Sequence, residues 1–190
     1  MTEPLSLSLS LVGMPGCGKS TVGRQLARQL GLRFADSDAV IEQRIGMPIR
    51  AYFAAQGEDA FRDIEQAVID VLAGQPGLVL ATGGGAVLRP SNRDALHSRS
   101  HVLYLRASPE ELQRRLRHDT QRPLLQVADP LHKLRELYRE RDELYRRTAH
   151  FVVEAVRPSL HALVGQALAQ LEQAGLIEPP AAPARSDAGR

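Results

Sequence analysis

The sequence predicts a three-layer α/β fold on a five-stranded parallel sheet, and three observations carry that expectation. Five short apolar runs recur along the chain, most of them are separated by segments of helical period, and a glycine-rich loop joins the first run to the first helix. The size agrees, because 190 residues of which 43% are hydrophobic suffice for one domain with a sizeable core.

Leu7 to Val12 reads as the first strand, ended by Gly13. Lys19 to Leu30 is helical, with Val22, Leu26 and Leu30 on one face and Gly31 as its stop. Arg33 to Asp36 is a second strand, and Ser37 can cap a helix reaching Arg44 before Gly46 and Pro48. Pro48 to Ala55 and Glu58 to Leu72 are two further helical stretches. Leu78 to Ala81 is a buried strand, closed by the triplet Gly83, Gly84, Gly85. Pro90 to Ser98 is helical and His101 to Leu105 is the fourth strand. Ser108, Pro109 and Glu111 form a capping box with proline at the first helical position. Arg117 to Ala128 has no period and reads as a loop. Asp129 and Pro130 open a charged helix to about Arg147, and Phe151 to Ala155 is the fifth strand. Pro158 begins a last helix whose apolar face runs through Leu160, Leu163, Val164, Ala167, Leu168 and Leu171 to a stop at Gly175. The unusually long spacer between strands two and three, residues 37–72, is expected over the strand ends as a substrate-side insert. One domain is expected over residues 1–176. From Ile177 to Arg190 the chain is mostly Ala, Pro and polar residues and reads as a disordered tail.

Composition removes several function classes. Lys and Arg total 24 against 22 Asp and Glu, a net charge of +2, which argues against a protein built to coat nucleic acid. Eight aromatic residues, four Tyr and four Phe without Trp, leave little on which bases could stack. The single cysteine, Cys17, excludes an intramolecular disulfide and a cysteine-based zinc cluster, and suits a reducing cytoplasm. No run of 18 apolar residues is present, and Leu5 to Val12 lacks a basic flank, so neither a membrane span nor a signal peptide is expected. Only Lys19 and Lys133 are lysine, which makes Lys19 conspicuous.

Gly13-Met14-Pro15-Gly16-Cys17-Gly18-Lys19-Ser20 matches G-x-x-x-x-G-K-[ST] between a predicted strand and a predicted helix. In such a phosphate loop (P-loop), glycines let backbone N–H groups surround an anion and the helix N-terminus adds positive charge. Lys19 reaches the outer phosphates and the Ser20 hydroxyl can ligate Mg²⁺. An incidental glycine turn is the bland alternative. Cys17 sits where a helix N-terminus could lower a thiol pKa, but it occupies an unspecified motif position and reads as a spectator.

A nucleotide loop leaves the second substrate open. Asp36 and Asp38 flank Ser37 at the end of strand two, the glycine triplet ends strand three, and ligands of open parallel sheets gather at those strand ends. A metal-positioning role for one aspartate and a hydroxyl-binding role for the other would reconcile carboxylates with a triphosphate. Helix capping by Asp36 or Ser37, and dipole stabilisation by Asp38, are the plain alternatives. For Arg62 the plain reading is a solvated surface arginine. For Arg141 it is membership of a surface ladder in which Asp142 pairs with Arg146 and Glu143 with Arg147.

The motifs together resemble the shikimate kinase family. They are Gly-Met-Pro-Gly-Cys-Gly-Lys-Ser-Thr at 13–21, Asp-Ser-Asp at 36–38, Gly-Glu-Asp-Ala-Phe-Arg at 57–62, Thr-Gly-Gly-Gly-Ala-Val at 82–87, Arg-Pro-Leu-Leu at 122–125 and Arg-Asp-Glu-Leu-Tyr at 141–145. The resemblance implies a nucleoside-monophosphate-kinase-like fold and transfer of the γ-phosphoryl of ATP to the 3-hydroxyl of shikimate with Mg²⁺; a cytoplasmic monomer is expected. It implies that Asp38 binds the shikimate hydroxyls, that Arg62 and Arg141 hold its carboxylate, and that Gly84 and Gly85 line the pocket. Gly16, Cys17, Gly18, Lys19, Ser20 and Thr21 would contact ATP, with Arg115 and Arg157 on the adenine side. Ser20 and Asp36 would serve the metal, and Arg122, from a lid over 117–128, would join Lys19 and Asp38 in catalysis. From Arg114 to Arg147 ten basic residues stand against six acidic ones, which suits a segment closing over a polyphosphate. Ser37 departs from the family's frequent threonine, and no Walker B aspartate follows Leu78 to Ala81. A gluconate kinase of the same fold, or a nucleotide switch with no small-molecule acceptor, are the competing readings.

Overall fold

The computed structural model describes residues 7–116, 127–155 and 159–178. Strands β1 (Ser8–Val12), β2 (Arg33–Asp36), β3 (Leu78–Ala81), β4 (His101–Arg106) and β5 (Phe151–Glu154) form one parallel sheet in the order β2-β3-β1-β4-β5. Helix α1 (Lys19–Leu30) packs on β2, β3 and α7 (Leu160–Gln173), whereas α4 (Pro90–Arg99) and α6 (Pro130–Thr148) pack on β4 and on each other. The connection through α1 runs along the sheet in one direction and that through α4 in the other, so right-handed crossovers put them on opposite faces. Covered on both sides, β3 is buried at every position, which explains its unbroken apolar run.

All strands point the same way, so Val12, Asp36, Ala81, Arg106 and Glu154 end along one edge. Leu11 and Asp36 both pair with Ala81 from either side, which levels the end of β2 with the loop leaving central β1. Beside that edge, α2 (Ser37–Ile45) and α3 (Ile49–Leu72) share a second apolar cluster around Ile41, Phe61 and Val68, apart from the main core. The two helical stretches expected there run on as α3 with one break at Gly57, whose φ of 83° is a left-handed conformation that glycine adopts without penalty.

Some boundaries differ from expectation. Of the two candidate caps of α2 it is Asp36 that serves, its Oδ1 accepting from the Asp38 N–H at 3.0 Å, and Ser37 is the first helical residue. Ser108 Oγ accepts from the Glu111 N–H at 3.2 Å at the start of α5 (Pro109–Leu116), as a capping box requires. The Glu111 carboxylate, however, binds Arg114 and Arg115. Helix α7 is capped by Ser159, and Pro158 lies outside the described residues. The tail was expected from Ile177, yet Leu176 and Ile177 pack against the core; residues 179–190 lie outside the described residues. Among the described residues no helix is long and apolar enough to cross a membrane.

Candidate functional site

The loop from Gly13 to Ser20 leaves the middle of the strand-end edge and turns into α1, setting the first N–H groups of that helix beside it. The loop lies tightly on β4: at Gly13, with φ 149°, a Cβ would sit 2.6 Å from the Leu105 carbonyl oxygen and 2.9 Å from Cys17 Sγ. Lys19 is buried at 8% exposure, and its Nζ donates to the carbonyls of Gly13 at 2.8 Å and Met14 at 3.0 Å. Cys17 is fully buried with its Sγ 3.8 Å from that ammonium, which agrees with the spectator reading. Gly16 and Gly18 also have positive φ, and Thr21 is exposed in the first turn of α1. Arg115 on α5 donates to the carbonyls of Cys17 and Ala155, both at 3.2 Å, and so braces the loop against the end of β5.

Ser20 Oγ donates to Asp36 Oδ2 at 2.5 Å, while Asp36 Oδ1 caps α2. The two aspartates therefore diverge. Asp38 turns toward the glycine turn, where a Cβ on Gly83 would lie 2.7 Å from Asp38 Oδ1 and 3.2 Å from Glu65 Oε1. Burial, then the charges of Asp36 and Glu65, push the Asp38 pKa up to about 6, against a smaller opposing effect of Lys19. The Ser20 hydroxyl and Asp36 carboxylate are hard oxygen donors in contact. They fit Mg²⁺, which takes one or two protein oxygens and completes its shell with phosphate and water. Among the described residues no group of three or more His, Cys, Asp or Glu forms an all-protein metal cage.

The glycine triplet is the hub. On a Cβ at Gly84 the Pro15 ring would lie at 2.7 Å, and on one at Gly85 the Arg62 guanidinium would overlap it. Gly83, Gly84 and Gly85 thus touch Asp38, the phosphate loop and Arg62 in turn, because none carries a side chain. Ser37 Oγ accepts from the Gly83 N–H at 3.1 Å and Tyr145 Oη donates to the Gly84 carbonyl at 2.5 Å, fixing the turn from both sides. Thr82 occupies the place of the absent Walker B aspartate and instead donates from Oγ1 to the Leu11 carbonyl at 2.9 Å, tying β3 to β1.

Arg62 is not a solvated surface arginine. Its side chain is 12% exposed, Nη1 donates to Glu65 at 2.6 Å and Nη2 to Glu58 at 3.1 Å. Arg141 likewise stands apart from the surface ladder, which forms as expected between Asp142 and Arg146 at 2.8 Å and Glu143 and Arg147 at 3.5 Å. Arg141 itself is buried; among the described residues its Nε has no hydrogen-bond partner, and its one ion pair, to the half-exposed Glu140, is long at 3.5 Å. The charges of Arg62 and Arg141 both act on Glu65, whose carboxyl is nevertheless pushed above its ordinary pKa by burial.

The strand-end edge therefore brings together Gly16, Cys17, Gly18, Lys19, Ser20, Asp36, Asp38, Arg62, Gly84, Gly85 and Arg115, with Arg141 close enough for its charge to act on Glu65. Arg122, Arg157 and most of the expected lid lie outside the described residues. Sequence reasoning passed over Glu65, which is 1% exposed and holds Arg62 by its spacing of three on α3; that spacing was a visible signal. It also gave no role to Gly83 or Tyr145.

The family model of shikimate kinase matches residues 15–172. The shikimate kinase of Paracidovorax citrulli is 60% identical over 177 residues, covering 92% of this chain and 96% of that protein. A solved shikimate kinase from Acinetobacter baumannii, in complex with shikimate, superposes with a TM-score of 0.83 at 42% identity over 90% of this chain and 96% of its own. A gluconokinase from Sinorhizobium meliloti 1021 reaches a TM-score of 0.58 at 22% identity over 90% of this chain and 95% of its own, a likeness of fold alone. The nucleoside-monophosphate-kinase-like arrangement expected from the sequence is thereby borne out.

Proposed function

Because the chain belongs to the shikimate kinase family, and so phosphorylates shikimate with ATP, we propose that the 3-hydroxyl is the acceptor and that the strand-end residues divide the work as follows. The loop from Gly13 to Ser20 and Lys19 bind the phosphates of ATP, with Arg115 framing the nucleotide side. Lys19 leaves its two loop carbonyls to follow the charge of the transferring group, where a fixed cation acts most strongly. Mg²⁺ would be held from Ser20 and the Asp36 side, and when bound it supplies charge neutralisation at the phosphates. Arg62 and Arg141 grip the shikimate carboxylate, and the buried Arg141 Nε, which makes no hydrogen bond and only a 3.5 Å ion pair with Glu140, is a donor suited to that anion. Asp38, ionised above pH 6, orients the acceptor hydroxyl and accepts its proton as the oxygen attacks phosphorus. The working unit in this reading is a monomer. Its place is the cytoplasm, as the lone buried cysteine suits.

The observation that carries this reading is the glycine turn, which puts Asp38, Arg62 and the phosphate loop in contact with three successive residues. The test is ADP formation with shikimate or gluconate as acceptor, together with Gly85→Ala. Gly85 has an ordinary φ of −93°, so the added methyl folds without backbone strain but displaces the Arg62 guanidinium. Shikimate alone should support turnover and yield the 3-phosphate. Gly85→Ala should raise KM for shikimate by about tenfold or more, with KM for ATP unchanged, on the scale of one charge-assisted hydrogen bond. Phosphorylation at another hydroxyl, or an unchanged shikimate KM in Gly85→Ala, would defeat the assignment.

A further inference from the structure

We infer that Asp142 is a positioning residue for substrate: anchored to β4 through Tyr104, it fixes the rotation of α6 that aims Arg141 and Tyr145 at the glycine turn. The inference rests on the proposed role of Arg141. Arg141 and Tyr145 are four residues apart and share one face of α6. Asp142 projects about 100° around the helix from Arg141, toward the carboxyl end of β4. There its Oδ1 accepts from Tyr104 Oη at 2.7 Å and its Oδ2 from Arg146 Nε at 2.8 Å, with Arg106 Nε 3.6 Å from Oδ1. Arg106 extends the link, donating to Tyr138 at 2.8 Å and to Glu154 on β5 at 3.0 Å.

Tyr104 is fully buried in a strand hydrogen-bonded on both sides, so it is a fixed reference for the helix. Its ring also lies 5.0 Å from that of Tyr145, whose hydroxyl holds Gly84. Burial works against the Asp142 charge, but hydrogen bonds from Arg146, Tyr104 and Tyr138 outweigh it and hold the carboxyl below its ordinary range. The anion is therefore the working form at neutral pH. A rotation of α6 by roughly 10° moves a group at the helix surface by about 1 Å, enough to spoil a bidentate grip on a carboxylate.

The test is steady-state kinetics of the full chain for Asp142→Ala, Asp142→Asn, Tyr104→Phe and Arg141→Ala, with thermal unfolding of each. Asp142→Ala should raise KM for shikimate by about tenfold while KM for ATP and kcat stay within about twofold. Asp142→Asn keeps an acceptor for Tyr104 and should recover much of the loss. Tyr104→Phe, which removes one hydroxyl and keeps the ring, should show a smaller shift in the same direction. Lower melting temperatures with unchanged shikimate KM in the three Asp142 and Tyr104 variants would overturn the inference, provided Arg141→Ala does raise that KM. An unchanged KM in Arg141→Ala would instead overturn the proposed carboxylate grip and the inference with it.

Discussion

Ionising Asp38 in the folded protein is opposed by burial and by the Asp36 and Glu65 charges, which lift its pKa from 3.8 to about 6. The folded state therefore binds the Asp38 proton more tightly than the unfolded state does. The associated stability is fully present below about pH 4 and is lost as pH rises through 6; above that the deficit is about 3 kcal/mol, as an order of magnitude. Asp38→Asn removes the ionisation and the basic acceptor together. It should melt higher than wild type at pH 8, with the gap closing toward pH 4, while turnover falls by roughly 10². Wild-type kcat/KM should decline as pH drops below about 6. Thermal unfolding at several pH values and a pH–rate profile check both; near-normal turnover in Asp38→Asn would remove Asp38 from the chemistry. The cost of keeping a carboxylate here is local, and in the proposed reading the same closeness that raises the pKa puts Asp38 against the acceptor.

At the opposite edge of the sheet, the ends of α4 and α6 meet the starts of β4 and β5 through three histidines. His97 and His150 stack at 4.2 Å with 8° between ring planes, and His101 meets His150 edge-on at 5.8 Å. His150 Nδ1 accepts from the Val102 N–H at 3.0 Å, so that ring is neutral with its proton on Nε2, while His97 Nδ1 donates to the Thr148 carbonyl at 3.1 Å. Partial burial first, then the charges of His97 and His101, lower the His150 pKa. A depressed base contributes stability above its unfolded value near 6.5, and that contribution is lost as pH falls through it. His150 is largely exposed, so solvent screening keeps the effect modest. The pH dependence of unfolding between pH 7.5 and 5 should be shallower in His150→Gln than in wild type; parallel curves would exclude the link. Subtracting the variant also cancels the opposite slope that Asp38 contributes. The elements themselves were legible wherever a local signal exists: α1 and β2 begin and end at the expected residues because Gly18, Gly31 and the apolar spacing act within a few residues. The phosphate loop was legible for the same reason. Tyr104 was readable only as one residue of an apolar strand, since its bond to Asp142 spans 38 positions, and the surroundings that raise the Asp38 pKa depend on α3 packing against α2 and bringing Glu65 to the glycine turn. Ser37 looked like the cap because hydroxyls serve that role as well as carboxylates do; the Gly83 N–H decided between them.

The whole molecule closes its core later in the chain than composition suggested. Leu176 and Ile177 are partly buried against the main core, and the Leu176 N–H donates to the Leu171 carbonyl at 2.9 Å. Truncation after Gly175 removes two large apolar side chains and should lower stability by about 1–3 kcal/mol, whereas truncation after Glu178 should leave melting temperature and activity unchanged. Equal stability of the two truncated forms would show that those contacts contribute nothing. In the proposed reading the two substrates meet on the edge remote from this C-terminal closure, where central β1 brings the phosphate loop beside Asp36 at the end of β2 and Asp38 at the start of α2. The burial of Lys19 has a practical corollary. Of 24 basic side chains only two end in a primary amine, and one of them is folded beneath its own loop at 8% exposure. The other, Lys133 near the start of α6, has a side chain 38% exposed. A lysine-directed fluorophore or surface-coupling reagent thus meets one exposed side-chain handle, at the start of the helix that carries Arg141 and on the strand-end side of the sheet, and reports on that helix.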